Sequence, residues 1–368
     1  MPASNCYIGL ISGTSMDGVD CALVEFTGNA PQLIAHSCTP LPPSLRKDLL
    51  FLCGGKQVDL EMLGRVDVEV GRHFAKSVNE LLTSNSISSD SIAAIGSHGQ
   101  TIYHQPTGDT PFTQQIGDPN SIAQLTGITT VADFRRRDMV VGGEGAPLAP
   151  LLHRNCFQSP EHNRVIVNIG GISNITVLTK DDLCHAFDTG PGNVLMDYWI
   201  ESKQQKTYDE AGNWAAQGQV CNELLDLLMQ ETYLSLPPPK STGRELFNGT
   251  WLEQKLSTLQ VSPTAVDVQR SLLEYTAVTI TDAISKENNA EEIYVCGGGA
   301  HNKSLMDRLG ELLPESTIDT TSSLGVDPDL VEAVAFAWMA KQTCAGEKIA
   351  TQQLTGASQP IILGGIYR

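Results

Sequence analysis

Positive charge is in short supply. The 368 residues carry 24 Lys+Arg against 42 Asp+Glu, a formal net charge of −18. A protein that coats nucleic acid needs an excess of phosphate-neutralising Lys and Arg, so nucleic acid is excluded as a general partner. A nucleotide site is not excluded, because a few backbone N–H groups hold a phosphate inside an acidic protein. Charge of either sign is scarce, at 18% of residues, and the 33 glycines outnumber Lys+Arg. Such a composition packs a globular core and does not stay disordered. Long apolar runs are missing. No segment approaches the roughly 18 residues of a membrane span, and the apolar residues 7–11 are too few for a secretory h-region. CxxC pairs are missing as well. The nine cysteines (Cys6, Cys21, Cys38, Cys53, Cys156, Cys184, Cys221, Cys296 and Cys344) are scattered, mostly in apolar surroundings. That argues for free thiols in a reducing compartment rather than a disulfide framework or a zinc site. The expectation is a cytoplasmic protein without membrane or nucleic-acid partners. No Gly-Lys-Ser/Thr occurs and no GxGxxG opens a helix, which argues against P-loop and Rossmann nucleotide sites.

At about 150 residues per domain, the length suggests two domains. Residues 7–11, 19–26 and 32–36 read as strands. A helix follows over 59–85, with Leu60, Leu63, Val66, Val70, Phe74, Val78 and Leu81 at three/four spacing. A strand at 92–96, a helix at 120–126 and a strand at 131–134 complete the set. The pattern then restarts. Strands are expected at 165–169, 174–178 and 184–187, with helices at 194–202 and 221–229. A further helix carries Leu273, Ala277, Ile280 and Ile284, before a strand at 293–296, a helix at 303–313 and a strand at 317–319. A last helix carries Val331, Val334, Ala335, Trp338 and Met339 as one apolar stripe. The reading is an α/β chain with a duplicated architecture. It places one domain at 1–150 and another at 151–368, with a helical insertion at about 203–270 that includes the breaker Pro237-Pro238-Pro239.

Several motifs fall at strand ends. Ser12-Gly13-Thr14-Ser15-Met16-Asp17-Gly18 joins two strands, and Asn168-Ile169-Gly170-Gly171-Ile172-Ser173-Asn174 repeats that arrangement. Gly and small hydroxyl residues let successive N–H groups cradle a phosphate, although a plain hairpin turn has the same composition. Gly297-Gly298-Gly299 follows a strand and opens a helix; a flat ligand against that backbone, or a tight turn, accounts for it. Asp188 ends a strand before Thr189-Gly190-Pro191-Gly192, a stiff position suited to a general base and also to an Asx turn. His98 and Gln100, in Gly96-Ser97-His98-Gly99-Gln100-Thr101, close a buried strand. Arg135, Arg136 and Arg137 form the one basic cluster, after Asp133; an arginine there suits a carboxylate ligand or a surface ion-pair network.

Taken together, Gly13-Thr14-Ser15-Met16-Asp17-Gly18-Val19-Asp20, the His98-Gly99-Gln100-Thr101 element, Ala132-Asp133-Phe134-Arg135, Asn168-Ile169-Gly170-Gly171, Phe187-Asp188-Thr189-Gly190-Pro191 and the triple glycine resemble the anhydro-N-acetylmuramic acid kinase family. That family lies in the actin–hexokinase–heat-shock-chaperone ATPase superfamily. The resemblance implies two ribonuclease-H-like domains around an ATP cleft. It implies ATP with Mg²⁺, a 1,6-anhydro amino sugar as substrate, and a homodimer. It implies that water opens the anhydro bond while O6 is phosphorylated, giving N-acetylmuramic acid 6-phosphate. Under it Asp188 is the catalytic base. Gly13, Thr14, Ser15, Met16, Asp17, Gly18, Val19 and Asp20 face ATP with Gly170 and Gly171, while Gly297, Gly298 and Gly299 lie at the adenosine. His98, Gln100, Asp133, Arg135 and Glu332 are sugar ligands. Two positions depart from the superfamily: Ile11 and Asn168 stand where many members carry Asp. The metal ligands therefore stay unassigned, with Asp17 and Asp20 as substitutes. An ordinary hydroxyl-sugar kinase and a non-catalytic actin- or chaperone-like ATPase are the alternatives.

Overall fold

The computed structural model describes residues 5–13, 16–28, 30–54, 57–287 and 290–368. They form two compact units, Met1–Cys156 with Leu330–Arg368, and Phe157–Asp329.

In the first unit, β1 (Cys6–Ser12), β2 (Gly18–Thr27) and β3 (Ala30–Pro40) run antiparallel. Next, β4 (Ala94–Gln105) lies parallel to β1, with Gly9 opposite Gly96, and β6 (Thr130–Ala132) lies parallel to β4. β5 (Phe112–Ile116) pairs only with the far end of β4. The order is β3-β2-β1-β4-β6, extended by an antiparallel C-terminal strand, Gly365–Tyr367.

Strand alternation sends Ile8 and Leu10 of β1 into a core shared with Val66, Val70, Phe74, Val78 and Leu81 of the helix Leu60–Ser84. Each such side chain gains about 1.5–3 kcal/mol over exposure. Asp59 caps that helix, accepting from the Met62 N–H at 2.6 Å, worth about 1 kcal/mol. Gly9 and Gly96 point to the opposite face. A Cβ on Gly9 would overlap the Ala333 carbonyl, and one on Gly96 the Phe336 carbonyl. The paired glycines thus form a trough for the helix Val331–Ala345.

That packing corrects two expectations. The C-terminal segment from Leu330 belongs to the first unit, not to a domain spanning 151–368. Its helix has no single apolar stripe: Val331, Ala333, Val334, Ala335, Phe336, Ala337, Trp338, Met339 and Ala340 are all buried. Alanines and glycines let both neighbours approach closely, so burial extends around the helix.

The second unit repeats the plan. β7 (Arg164–Ile169), β8 (Ile172–Leu178) and β9 (Cys184–Pro191) run antiparallel, and β10 (Glu292–Cys296) and β11 (Thr317–Thr320) add in parallel on the other side of β7. The order β9-β8-β7-β10-β11 matches the first sheet's order and directions. This is the expected ribonuclease-H-like arrangement, twice. Its core joins Val165, Val167 and Val295 of the sheet to Leu273 and Ile280 of the helix Ala265–Ser285. Residues 205–264 form mostly short helical pieces, the expected insertion. No helix among the described residues is long and apolar enough to cross a membrane.

Candidate active site

His98 and Arg135 meet in the first unit. His98 does not lie at a strand end: β4 runs on to Gln105, so His98 and Gln100 sit inside it, both buried. The His98 Nδ1–H donates to the Gly99 carbonyl at 2.9 Å, which leaves Nε2 to accept from Arg135 Nε at 2.8 Å. This pattern needs a neutral ring. Burial, then the Arg135 charge, holds the His98 pKa well below its ordinary value. Phe336 packs against the imidazole, centroids 4.7 Å apart. His98 therefore orients Arg135, and both its ring nitrogens are occupied.

Arg135 Nη1 donates to the Gly145 carbonyl at 2.8 Å. The remaining N–H groups, on the Nη1/Nη2 edge, suit a carboxylate. Burial lowers the Arg135 pKa, while Glu332 and Asp138 raise it. Sequence reasoning missed Asp138. It is fully buried, accepting from Gly145 N–H and from Thr355 Oγ1, each at 2.9 Å. A Cβ on Gly143 would overlap its carboxylate. Asp138 thus builds the loop that supplies Arg135 with its carbonyl; the signal was the Gly142-Gly143 and Gly145 run.

Glu332 opens helix Val331–Ala345. It retains solvent access, yet protein atoms crowd the carboxyl and raise its pKa; Arg135 lowers it and Asp20 raises it. Asp133 has a left-handed backbone, φ 64°, and accepts from Tyr367 Oη at 2.8 Å and Arg136 Nη1 at 3.2 Å. It is tied to the C-terminal strand. Gln100 donates from Nε2 to the Thr101 carbonyl, and its buried Oε1 has no partner among the described residues. A buried, unmatched acceptor is costly unless a donor arrives.

The glycine turns divide into packing and open positions. Thr14 and Ser15 lie outside the described residues. A Cβ on Gly13 would meet nothing within 4 Å. Met16 is buried, and its carbonyl accepts from Arg46 Nε at 3.0 Å, while exposed Asp17 lies 3.7 Å from Arg46 Nη2. Gly18, Val19 and Asp20 belong to β2. Gly18 is pressed on Cys38 and Thr39, and Val19 is fully buried in the core. In the second unit the Gly170 carbonyl accepts from Asn193 N–H and the Gly171 carbonyl from Gly192 and Val194 N–H. Anion contacts there would fall to the glycine N–H groups. Gly297 has φ +77°, and a Cβ on it would overlap the Asn168 side chain; one on Gly299 would overlap Ile169. These two glycines serve packing. Gly298 lines a cavity of about 330 Å³ with Asn193, Asp197, Tyr208, His301 and Asn302. Burial, with Asp209 and Glu201 adding to it, pushes Asp197 up to about 7 against the pull of Arg244. Asp197 and Tyr208 were not singled out in the sequence; the helical and loop positions they occupy carry no motif.

Asp188 lies on β9 opposite Asn174. Its Oδ2 accepts from Ser241 Oγ at 3.0 Å and Thr242 N–H at 2.9 Å. Burial raises its pKa, the Thr242 and Ser241 bonds lower it, Glu245 raises it and Lys240 lowers it. No group of three or more metal-ligating side chains occurs among the described residues. Mg²⁺ that arrives on nucleotide phosphates needs only one or two carboxylates, and exposed Asp17 offers one. The donor set fits an ion brought by nucleotide.

Comparison with known proteins gives a consistent answer. The family model described as anhydro-N-acetylmuramic acid kinase matches residues 5–368. The chain is 48% identical over 363 residues to the anhydro-N-acetylmuramic acid kinase of Aliivibrio fischeri, covering 98% of each chain. It is 50% identical over 362 residues to that of Shewanella sp. strain ANA-3, again over 98% of each. Among solved structures, the activator of the 2-hydroxyisocaproyl-CoA dehydratase from Clostridium difficile aligns with 94% of this chain and 99% of its own. The identity is 12% and the TM-score 0.48. By its full-length family match, the chain belongs to the anhydro-N-acetylmuramic acid kinases and is a sugar kinase.

Proposed function

We propose that the chain converts 1,6-anhydro-N-acetylmuramic acid, water and ATP into N-acetylmuramic acid 6-phosphate and ADP. The observation that carries this reading is the Asp188 carboxylate, with Oδ2 fixed by Ser241 and Thr242 and a basicity raised by burial. Raised basicity suits proton abstraction near neutral pH. Water attacks C1 of the sugar as its proton passes to Asp188. The C1–O6 bond breaks, O6 takes the γ-phosphoryl group, ADP leaves, and Asp188 later releases the proton to solvent.

Arg135, oriented by neutral His98, takes the lactyl carboxylate. Gln100 Oε1 accepts a sugar or amide hydrogen, and Glu332 a hydroxyl. Asp133 stiffens the Arg135 segment through Tyr367. The cavity at Gly298 takes the adenosine, with the Tyr208 ring against the base and Asp197 as a polar partner. The Gly13 and Gly170-Gly171 turns take phosphates through backbone N–H groups. Mg²⁺, held by Asp17 or Asp20, would offset phosphate charge. Family membership also supports a homodimer, which light scattering tests, and the nine free thiols suit a cytoplasmic setting.

The test is solvent ¹⁸O. Turnover in labelled water places label at the anomeric position, whereas an ordinary hydroxyl kinase leaves the sugar unlabelled. Asp188→Asn retains ATP binding and loses roughly 10²–10⁴ in kcat. Near-normal turnover in that variant removes Asp188 from the base role.

A further inference from the structure

Residues 237–242 form a strap across the back of Asp188, and we infer that this strap is the positioning device of the general base: Ser241, anchored through Lys240, keeps Oδ2 engaged so that Oδ1 is the oxygen that receives the water proton. The inference rests on the base role given to Asp188 above.

Four hydrogen bonds join Asp188 to a segment some fifty residues away. Asp188 N–H donates to the Lys240 carbonyl at 3.1 Å, and Tyr233 Oη donates to the Asp188 carbonyl at 2.8 Å. Ser241 Oγ and Thr242 N–H donate to Oδ2. Oδ1 receives no protein hydrogen bond among the described residues. The terminal torsion of an Asp side chain is broad and nearly two-fold. Without the two bonds to Oδ2, the carboxylate would exchange its oxygens and tilt freely.

The strap has its own anchor. Lys240 Nζ donates to the carbonyls of Tyr233 and Leu234 at 3.3 and 3.1 Å, and lies 4.7 Å from the centre of the Tyr233 ring. Tyr233 in turn holds the Asp188 backbone, so the loop closes on itself. Pro237, Pro238 and Pro239 lead into it and limit the freedom of the chain before Lys240. This accounts for the three consecutive prolines.

The charged groups facing Asp188 have opposed effects. Lys240 favours the carboxylate, Glu245 opposes it, and Lys286 acts on Lys240. Tyr233 stays protonated, its pKa pushed well up by burial and then by Asp188. Removing the Ser241 hydroxyl withdraws a bond that favours the ionised carboxyl, so the Asp188 pKa rises further. A base that must be ionised then works only at higher pH.

The experiment compares Ser241→Ala, Ser241→Thr and Lys240→Met with wild type in the full chain, using pH profiles of kcat at saturating ATP and anhydro sugar. Ser241→Ala lowers kcat roughly 5- to 20-fold, moves the acidic limb to higher pH and leaves both KM values near wild type. Ser241→Thr restores rate and limb; Lys240→Met moves the limb in the same direction as Ser241→Ala. A Ser241→Ala enzyme with the wild-type limb overturns the inference, including the case where kcat falls only because less protein folds. Asp188→Asn separates the two ideas. If it is inactive while Ser241→Ala is silent, only the strap fails; if it is active, the base role itself fails.

Discussion

The guanidinium of Arg135, the proposed carboxylate ligand, is oriented by a neighbour that cannot carry charge. A protonated His98 would lose its acceptor nitrogen and repel the guanidinium. Burial prevents that, so Arg135 Nε stays engaged and the Nη edge stays presented. Lysine cannot reproduce this geometry, because an ammonium has no planar edge to divide between a histidine, a carbonyl and a carboxylate. Arg135→Lys should therefore raise the KM for the anhydro sugar by roughly 10- to 100-fold with the KM for ATP unchanged, measured by steady-state kinetics. An unchanged sugar KM would remove Arg135 from that subsite. The sequence made Arg135 and His98 visible because they stand in compact motifs. It did not reveal their mutual bond, nor the support of Asp138, which depends on Thr355, 217 residues further on. Ser241 is hidden from the sequence for the same reason: its partner lies 53 residues away, and a lone serine after prolines carries no pattern.

Elements with strong periodicity were legible, and those defined by tertiary contact were not. The strands β1 and β2 and the helix Leu60–Ser84 follow their apolar spacing closely, whereas β3, expected at 32–36, runs over Ala30–Pro40 through polar residues that pair with β2. By contrast, β4 beyond Gly96 and all of β5 are rich in Gln, Thr and His, so hydrophobic alternation could not announce them. The spacing predicts helix Val331–Ala345 but not the continuous burial of Ala333–Ala340, because that depends on glycines more than two hundred residues away in sequence. The trough formed by Gly9 and Gly96 is a testable device. A Cβ on Gly96 meets the Phe336 carbonyl and the Ala340 side chain, and a carbonyl in a packed helix cannot yield as a flexible side chain does. Gly96→Ala should destabilise the protein by about 2–4 kcal/mol, read from the urea midpoint at constant m-value. The same helix carries Glu332 and the Phe336 ring against His98. The variant should also raise the sugar KM at temperatures where it remains folded. Wild-type stability would mean that the helix does not seat on the sheet at this point.

For the molecule as a whole, the duplicated strand pattern located the first half of each unit but misassigned the end of the chain. Local periodicity says that a helix exists near residue 331; it does not say which sheet the helix covers. The second unit is one continuous segment, Phe157–Asp329, with its own sheet and a core between that sheet and the helix Ala265–Ser285. The first is discontinuous, and the trough face of its sheet is filled by side chains and backbone from Leu330–Arg368. The two units should therefore behave differently when isolated. The fragment 157–329 should fold alone, with a cooperative thermal transition by circular dichroism. The fragment 1–156 should not, because the face bearing Gly9, Gly96 and Ile11 would be exposed where Ala333, Phe336, Ala337 and Ala340 seat. Exposed apolar surface of that kind binds hydrophobic dye and aggregates. The short helix Ala149–Leu152 packs on Val331–Ala345, and Cys156 lies near Lys341 of that helix, about eleven residues or roughly 16 Å along it from Leu330, so a Gly/Ser linker of about ten residues can join residues 156 and 330 in place of the second unit. Restoring 330–368 in this way should recover a cooperative transition and abolish dye binding. Cooperative folding of 1–156 by itself would show that the returning segment is dispensable to the first core, and a dye-binding, non-cooperative linked fragment would show that this core depends on more than its own residues.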